Sequence, residues 1–436
     1  MQHFPLTRRE FLGASAAAAG ALLLPRQALA RRPSMRPDKL RIVVVGTANQ
    51  AAWNLSQIAD QEIVALCDVD ANFLAAAGAN FPGAKHFRDF REMLSASLDF
   101  DAALVAAPDH IHAPAAAMAL RLGKHVYCEK PLAHSVFEVR TLARLAAEKK
   151  LVTQMGTQIH STANYRRVVE LVRSDAIGKV RQVHTWCNKS WSGGKYSDPK
   201  PAPGHVDWDL WLGPAPQHDY CDGIHPGNWR KFWAYGTGTL GDMACHYMDL
   251  PHWALDLDHP TSVHAKGPEK VDAVGTPAWL VVEYEHPAKG DRPEVKLTWH
   301  DGDKRPDILS KFKNKDASPL AWGDGNLFIG DTGMILANYD THLLLRDNVV
   351  VDITPPKPTI PDSIGHHKEW IEACRTGSPT TCNFKYSGAL SEAVLLGNVS
   401  YRVGKKLQWD AANLKATNAP EAAEFITPKF RDGWKL

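Results

Sequence analysis

Leu40-Arg41-Ile42-Val43-Val44-Val45-Gly46-Thr47-Ala48-Asn49-Gln50-Ala51 decides how the first half of the chain is read. Leu40 to Gly46 is an apolar strand closed by glycine, and Asn49 to Ala59 follows with a helical pattern. A dinucleotide-binding unit places Gly-x-Gly-x-x-Gly at such a turn. Only Gly46 of the three glycines is present; Ala48 and Ala51 stand in the other places. Ala is tolerated at the third position, whereas a methyl at Ala48 crowds the backbone approach to a pyrophosphate. Asp68 ends the second strand, Glu62 to Cys67, where a carboxylate meets the adenosine ribose. That charge would repel a 2′-phosphate, so NAD is expected over NADP. A sheet of this type that binds nothing at the turn is the alternative.

Outward from this stretch, strands and helices alternate. Helices are expected near Ala71 to Ala79, Asp89 to Leu94, Pro114 to Leu122 and Ser135 to Lys149. Strands are expected at Asp101 to Ala107, His125 to Cys128 and Leu151 to Met155. This spacing implies parallel βαβ units and a doubly wound α/β sheet. The strand His125 to Cys128 runs into Glu129-Lys130-Pro131. Two opposite charges at the carboxyl end of a buried strand are costly unless something uses them, and ligands bind at that end. A solvated ion pair is the competing reading. Pro108-Asp109-His110-Ile111-His112 offers a His-x-His after a strand, a pattern metal sites also use.

The length of 436 residues suits two domains, and a formal net charge of +2 gives no electrostatic case for nucleic acid or an anionic membrane. Thr7-Arg8-Arg9-Glu10-Phe11-Leu12 is a twin-arginine pattern, followed by an apolar run from Ala14 to Leu24 and a small-residue site at Ala28-Leu29-Ala30. A run that short favours a cleaved export signal over a stable membrane anchor. The seven cysteines include no close CxxC pair, so buried thiols are expected rather than disulfides or a zinc knuckle.

From about Gly156 the pattern changes. A helix is expected at Tyr165 to Arg173, with strands near Val180 to Cys187, Ala278 to Tyr284, Val295 to Trp299 and Asn326 to Ile329. Period-two alternation favours an antiparallel or mixed sheet. Six Trp and three Tyr lie between Trp186 and Tyr235 in a stretch broken by Gly and Pro. Most should pack, and two or three could line a site for sugar rings. Beyond it, Asp242, His246, Asp249 and Trp253 share one face if a single helix carries them, although Pro251 puts Trp253 in doubt. Such a face could hold an acid/base pair, a metal or plain polar contacts. His366 and His367 start an amphipathic helix, and a second spans Ser387 to Val403.

Glu129-Lys130-Pro131 at the end of a Rossmann strand, together with Asp242-x-x-x-His246, resembles the Gfo/Idh/MocA family of nicotinamide-dependent sugar and polyol oxidoreductases. Pro108, His112 and Gln154-Met155-Gly156-Thr157-Gln158 are also in that style, and the likeness covers about Leu40 to Gln408. The twin-arginine signal aligns it with exported, glucose–fructose oxidoreductase-like members. With the signal peptide read at 1–30, the resemblance implies a Rossmann domain at 38–155 and an α/β substrate and oligomerisation domain at 156–410. The last domain would carry an open, mostly antiparallel sheet that pairs subunits into a homodimer or homotetramer, with a surface tail at 411–436. It implies catalytic roles for Lys130 beside the nicotinamide, Asp242 orienting substrate, and His246 as acid/base. The implied cofactor contacts are Gly46, Ala48, Asn49, Asp68, Pro108, His112, Glu129 and Lys130.

The chemistry of these groups agrees. An imidazole can take a hydroxyl proton, an ammonium stabilises a developing alkoxide, and a carboxylate can fix both the hydroxyl and the imidazole tautomer. Free NAD is scarce outside the cytoplasm, so a retained, internally recycled cofactor is expected. It could serve a net oxidation or an oxidation–elimination–reduction that cleaves a glycoside. A metal-dependent hydrolase or isomerase using Asp242, His246 and Asp249, and a non-catalytic sugar-binding protein, are the rivals.

Overall fold

Val43, Val44 and Val45 make β1 (Arg41–Val45) a strand buried on both faces, as a central parallel strand must be. The computed structural model describes residues 39–352 and 354–436, so the export signal read at 1–30 lies outside the described residues. After β1 come α1 (Gln50–Gln57), β2 (Glu62–Cys67), α2 (Ala71–Asn80), β3 (Lys85–Phe87) and α3 (Phe90–Ser95). They are followed by β4 (Ala102–Val105), α4 (Asp109–Arg121), β5 (His125–Glu129), α5 (Val136–Lys149) and β6 (Thr153–Gly156). The strands pair in parallel in the order β3-β2-β1-β4-β5-β6, a doubly wound sheet that switches direction beside β1.

Two caps show how local sequence sets these elements. The Asp70 carboxylate accepts from the backbone N–H groups of Asn72 and Phe73 and so starts α2. Ser135 and Glu138 form a reciprocal capping box at α5. One helix corrects the sequence reading: α4 begins at Asp109, not Pro114. Pro108 (φ −57°, ψ 152°) holds the extended entry to the helix, Asp109 favours its first turn, and Pro114 is carried inside it.

The second half supplies α6 (Ala163–Arg173), β7 (Val180–Cys187), α7 (Trp208–Leu212), α8 (Gly238–Tyr247) and α9 (Asp249–Ala254). The strands β8 (Ser262–Lys266), β9 (Val281–His286), β10 (Val295–Asp301), β11 (Gly325–Gly330), β12 (Met334–Ala337), β13 (His342–Arg346) and β14 (Val349–Val351) follow. The chain ends with α10 (His366–Thr376), α11 (Phe384–Val403), β15 (Leu407–Asp410), β16 (Lys415–Ala416) and α12 (Ala423–Ile426). Ten strands form one sheet in the order β14-β13-β12-β11-β7-β10-β9-β8-β15-β16. Among the described residues of this sheet only β7 and β10 pair in parallel, so it is mixed and mostly antiparallel.

Helix α11 is buried along most of its length, between α5 on one side and α8 and β8 on the other. Its Glu392, with a fully buried side chain, pairs with Arg140 of α5 and accepts from Trp409 Nε1 at 2.9 Å. The predicted single helix through Asp242 and Trp253 is two helices broken at Met248. Pro251 lacks an N–H and would clash with the carbonyl four residues back. All seven cysteines are buried thiols, as expected. Among the described residues no helix is long and apolar enough to cross a membrane.

Candidate active site

Gly46 makes the first turn possible. Its φ is +86°, and a Cβ there would lie 2.4 Å from the Ala106 carbonyl oxygen at the end of β4. The turn is held from β2: Asp68 Oδ2 accepts from Thr47 N at 2.9 Å and Thr47 Oγ1 at 2.8 Å, while Oδ1 accepts from Asp70 N at 3.0 Å. Burial pushes the Asp68 carboxyl up, and these donors oppose the shift. Asn49, capping α1, sits at φ 53°, ψ −118°, a conformation costly for a side chain.

A crevice of about 430 Å³ opens over this turn and runs to the carboxyl end of β5. Gly46, Ala48, Asn49, Asp68, Pro108, His112, Glu129, Lys130 and Asp242 all line it. The start of α1, which no side chain caps, the close-approach glycine and the Asp68 carboxylate suit a dinucleotide's pyrophosphate and ribose. The Ala48 methyl sits on the same lip.

At the other end, the Glu129 carboxylate is buried and accepts from Gln158 Nε2 at 2.9 Å, Asn54 Nδ2 at 3.0 Å and Gln50 Nε2 at 3.3 Å. It therefore fixes the strand end from which Lys130 projects. The Lys130–Pro131 bond is cis. His112 braces the same turn, with Nδ1 2.8 Å from the Pro131 oxygen and Nε2 2.8 Å from the Ala107 oxygen. His110 lies likewise between the Tyr235 and Trp211 carbonyls. The His-x-His pair thus spends its nitrogens on backbone and is no metal set. His112 is a brace in the crevice wall.

Lys130 Nζ donates to Asp242 Oδ1 at 2.5 Å, bringing β5 and α8 together. Asp242 Oδ2 accepts from Trp191 Nε1 at 2.7 Å, and Arg230 Nε lies 3.4 Å from Oδ1. Arg230 is anchored in turn by both oxygens of the fully buried Asp109 at 2.9 Å, with Thr237 Oγ1 donating to that carboxylate at 2.7 Å. Against its burial, Lys130 and Arg230 hold Asp242 well below the usual carboxylate range. His246, half-buried one turn along α8, is pushed down to about 3 by burial first and the Lys130 charge second. Its Nδ1 has no partner among the described residues. Asp242 is committed to Lys130, Arg230 and Trp191, so it does not set the His246 tautomer, contrary to the sequence expectation.

Asp249, expected beside them, points into the core. It accepts from Tyr386 OH at 2.6 Å and lies 2.9 Å from His160 Nδ1. Asp242, His246 and Asp249 therefore do not converge. The group of metal-type ligand atoms within 4.8 Å among the described residues is His160, Asp249 and Cys382, and its Asp249 is already taken.

Sequence reasoning missed several crevice residues. Arg88 donates to the Val69 and His205 carbonyls. Of the aromatic run, Trp191, Trp211 and Trp229 line the crevice while Trp186 and Trp208 pack elsewhere. Segment 205–207 clamps the end of β2: Ala71 N donates to the His205 carbonyl at 2.8 Å and Asp207 N to the Val69 carbonyl at 3.0 Å. His225 Nε2 lies 2.9 Å from Asp70 Oδ2. The stretch read as a surface tail returns to the crevice, where Trp434 packs on Phe90 and Arg91.

Comparison with known proteins agrees with this architecture. The family model for the NAD-binding Rossmann fold of the GFO_IDH_MocA oxidoreductases matches residues 40–157, and that for their C-terminal alpha/beta domain matches 168–313. Inositol 2-dehydrogenase 3 of Saccharopolyspora erythraea is 33% identical over 150 residues, 33% of this chain and 44% of that protein. A glycosyl hydrolase family 109 protein of Stenotrophomonas maltophilia is 33% identical over 140 residues, 29% of this chain and 30% of that protein. The chain thus spans less than half the length of these relatives. The WlbA dehydrogenase from Bordetella pertussis, solved with NADH and UDP-GlcNAcA, shares the fold at a TM-score of 0.58 and 18% identity, over 85% of this chain and 99% of that one. With both family domains matched over more than half of its residues, and with the sheet order and crevice that go with them, the chain belongs to the Gfo/Idh/MocA family of oxidoreductases.

Proposed function

We propose that the chain transfers a hydride between a nicotinamide dinucleotide and a secondary hydroxyl of a sugar or polyol. The observation that carries this reading is the meeting of Lys130, at the end of β5, with Asp242 of α8 in the crevice lining, with His246 one turn along the same helix. When bound, the dinucleotide supplies the hydride acceptor or donor. Lys130 holds the hydroxyl oxygen and offsets its developing negative charge. Asp242, kept ionised, positions that ammonium. His246 is neutral at pH 7 and takes the hydroxyl proton; an alkoxide forming beside it raises its low proton affinity.

NAD is favoured over NADP, because the Asp68 carboxylate faces the ribose end and would repel a 2′-phosphate. His225 and Trp434 line that end, which supports a retained, internally recycled cofactor. Retention suits the export inferred from Arg8-Arg9 and its apolar run. Assembly into two or four copies through the ten-stranded sheet is part of the same proposal. Similarity to a glycosyl hydrolase family 109 protein favours a second reading, glycoside cleavage by oxidation, elimination and re-reduction.

Mass spectrometry of denatured, unsupplemented protein should find NAD in near-stoichiometric amount, and a sugar and polyol screen should give absorbance at the reduced-nicotinamide band. Cofactor-free protein that binds no added NAD would end the proposal. Release of p-nitrophenol from an aryl glycoside without net NADH would select the second reading.

A further inference from the structure

A second cavity, of about 340 Å³, lies between the end of α11, the start of α5, the 233–237 turn and the C-terminal segment 424–430. Arg402, in the last turn of α11, lines it. The guanidinium carbon sits 4.0 Å from the ring centroid of Phe425 and 5.1 Å from that of Trp233. Burial lowers its pKa to about 10, so it stays charged at pH 7. Yet among the described residues none of its N–H groups meets an acceptor, and no carboxylate lies within ion-pair distance. Other partly buried arginines are not left so: Arg140 has Glu392, Arg166 has the Pro361 and His160 carbonyls, and Arg230 has Asp109. A half-buried guanidinium held only by ring faces keeps its N–H groups open to an oxyanion.

The rest of the lining does not neutralise it. Lys429 adds a second cation with no ion pair, and Glu424 acts on Arg402 only from beyond ion-pair distance. Glu138 is engaged by Ser135 in the capping box. His134, against the Gly236 carbonyl at 3.2 Å, is held neutral by burial. Asn398, 7% exposed, donates Nδ2 to the Thr237 carbonyl at 2.9 Å and leaves Oδ1 without a partner.

We propose that this cavity is a second binding site, for a small hydroxylated molecule whose carboxylate or phosphate pairs with Arg402 and Lys429, and that its occupancy is felt at the active site. A forked guanidinium beside aromatic rings suits a bidentate oxyanion. Asn398 Oδ1 accepts from a ligand hydroxyl. The route inward is a run of contacts: Asn398 to Thr237, Thr237 to Asp109, Asp109 to Arg230, and Arg230 to the Asp242 that holds Lys130.

Calorimetric titration of NAD-saturated full-length protein with citrate, and separately with inorganic phosphate, tests this. Saturation keeps the probes off the cofactor's own phosphate positions. One probe should bind once per chain. Citrate alone assigns a carboxylate ligand, and phosphate alone a phosphorylated one. Arg402→Gln should weaken that binding at least about tenfold, Lys429→Gln by a smaller factor, and Lys130→Met not at all. Where Arg402→Gln loses its native circular dichroism, Lys429→Gln decides. No binding of either probe at 10 mM, on the order of the weakest useful affinity, overturns the site. Binding that survives both cavity variants but falls with Lys130→Met does so too. Unchanged NAD affinity in the presence of the bound probe overturns the link to the active site.

Discussion

Replacing His246 by Gln measures whether that imidazole is the neutral base that the proposed chemistry requires. In the unfolded chain it gains a proton as pH falls through 6.5; in the folded protein it does so only near 3. Its contribution to stability is therefore whole above pH 6.5, falls by about 1.4 kcal/mol per pH unit below that, and stops falling under pH 3. Between pH 7 and pH 5 the loss amounts to about 2 kcal/mol. Gln keeps most of the volume and does not titrate. Whatever the substitution costs at pH 7, the gap between variant and parent should move about 2 kcal/mol in the variant's favour by pH 5. The other histidines pushed down by burial titrate alike in both proteins and cancel in the difference. The assay is urea unfolding at pH 7, 6 and 5 with equal slopes and the same cofactor content in both proteins. Stability curves that stay parallel would mean that His246 titrates near its ordinary value. A gap that moves the other way would mean that Asp242 holds it as an imidazolium, and the assignment of the base would fall.

Asn49→Gly should raise stability by about 1 kcal/mol in thermal unfolding, because a residue at φ 53°, ψ −118° is relieved; a loss would show that the Asn side chain holds the turn. Asp109→Asn should cost about 3 kcal/mol in urea unfolding, since it strips the buried Arg230 of its bidentate partner. A loss under about 1 kcal/mol would mean that Arg230 transfers wholly to Asp242. Trp434→Ala removes the contacts to Phe90 and Arg91. At about 1–2 kcal/mol for such contacts, bound cofactor should leave about tenfold faster in a fluorescence chase; an unchanged rate would show that the returning C-terminal segment does not close the crevice.

The first sheet was legible because every strand but the short, exposed β3 carries its own evidence. Apolar runs such as Val43 to Val45 and Ala102 to Val105 are buried on both faces, and the helices between them leave parallel pairing as the one arrangement. The second sheet was half legible. Val180 to Cys187 falls where alternation put it, whereas β8, β12, β13, β14, β15 and β16 are runs of two to five residues, too short for period-two alternation to separate from loop. Their pairing is set by neighbours distant in the chain, such as Leu407 against Val263, which no local window contains.

The site divides along the same physical line. Lys130, Asp242 and Asp68 could be found because each sits at a fixed offset within one element: a strand end, one helix face, the end of the second strand. Trp191 sits in a loop, Arg230 in a single 3-10 turn (Trp229–Lys231) too short to show a period, and Trp434 almost at the end of the chain; tertiary approach alone gives them their places. Asp249 shows the opposite error, an offset trusted too far. A helical projection holds only while the ladder of backbone hydrogen bonds continues. Pro251 cannot donate to that ladder, so it ends at Met248 and α9 starts afresh. One pyrrolidine ring thus sends Asp242 to an ammonium in the crevice and Asp249, seven residues on, to a tyrosine and a histidine in the core.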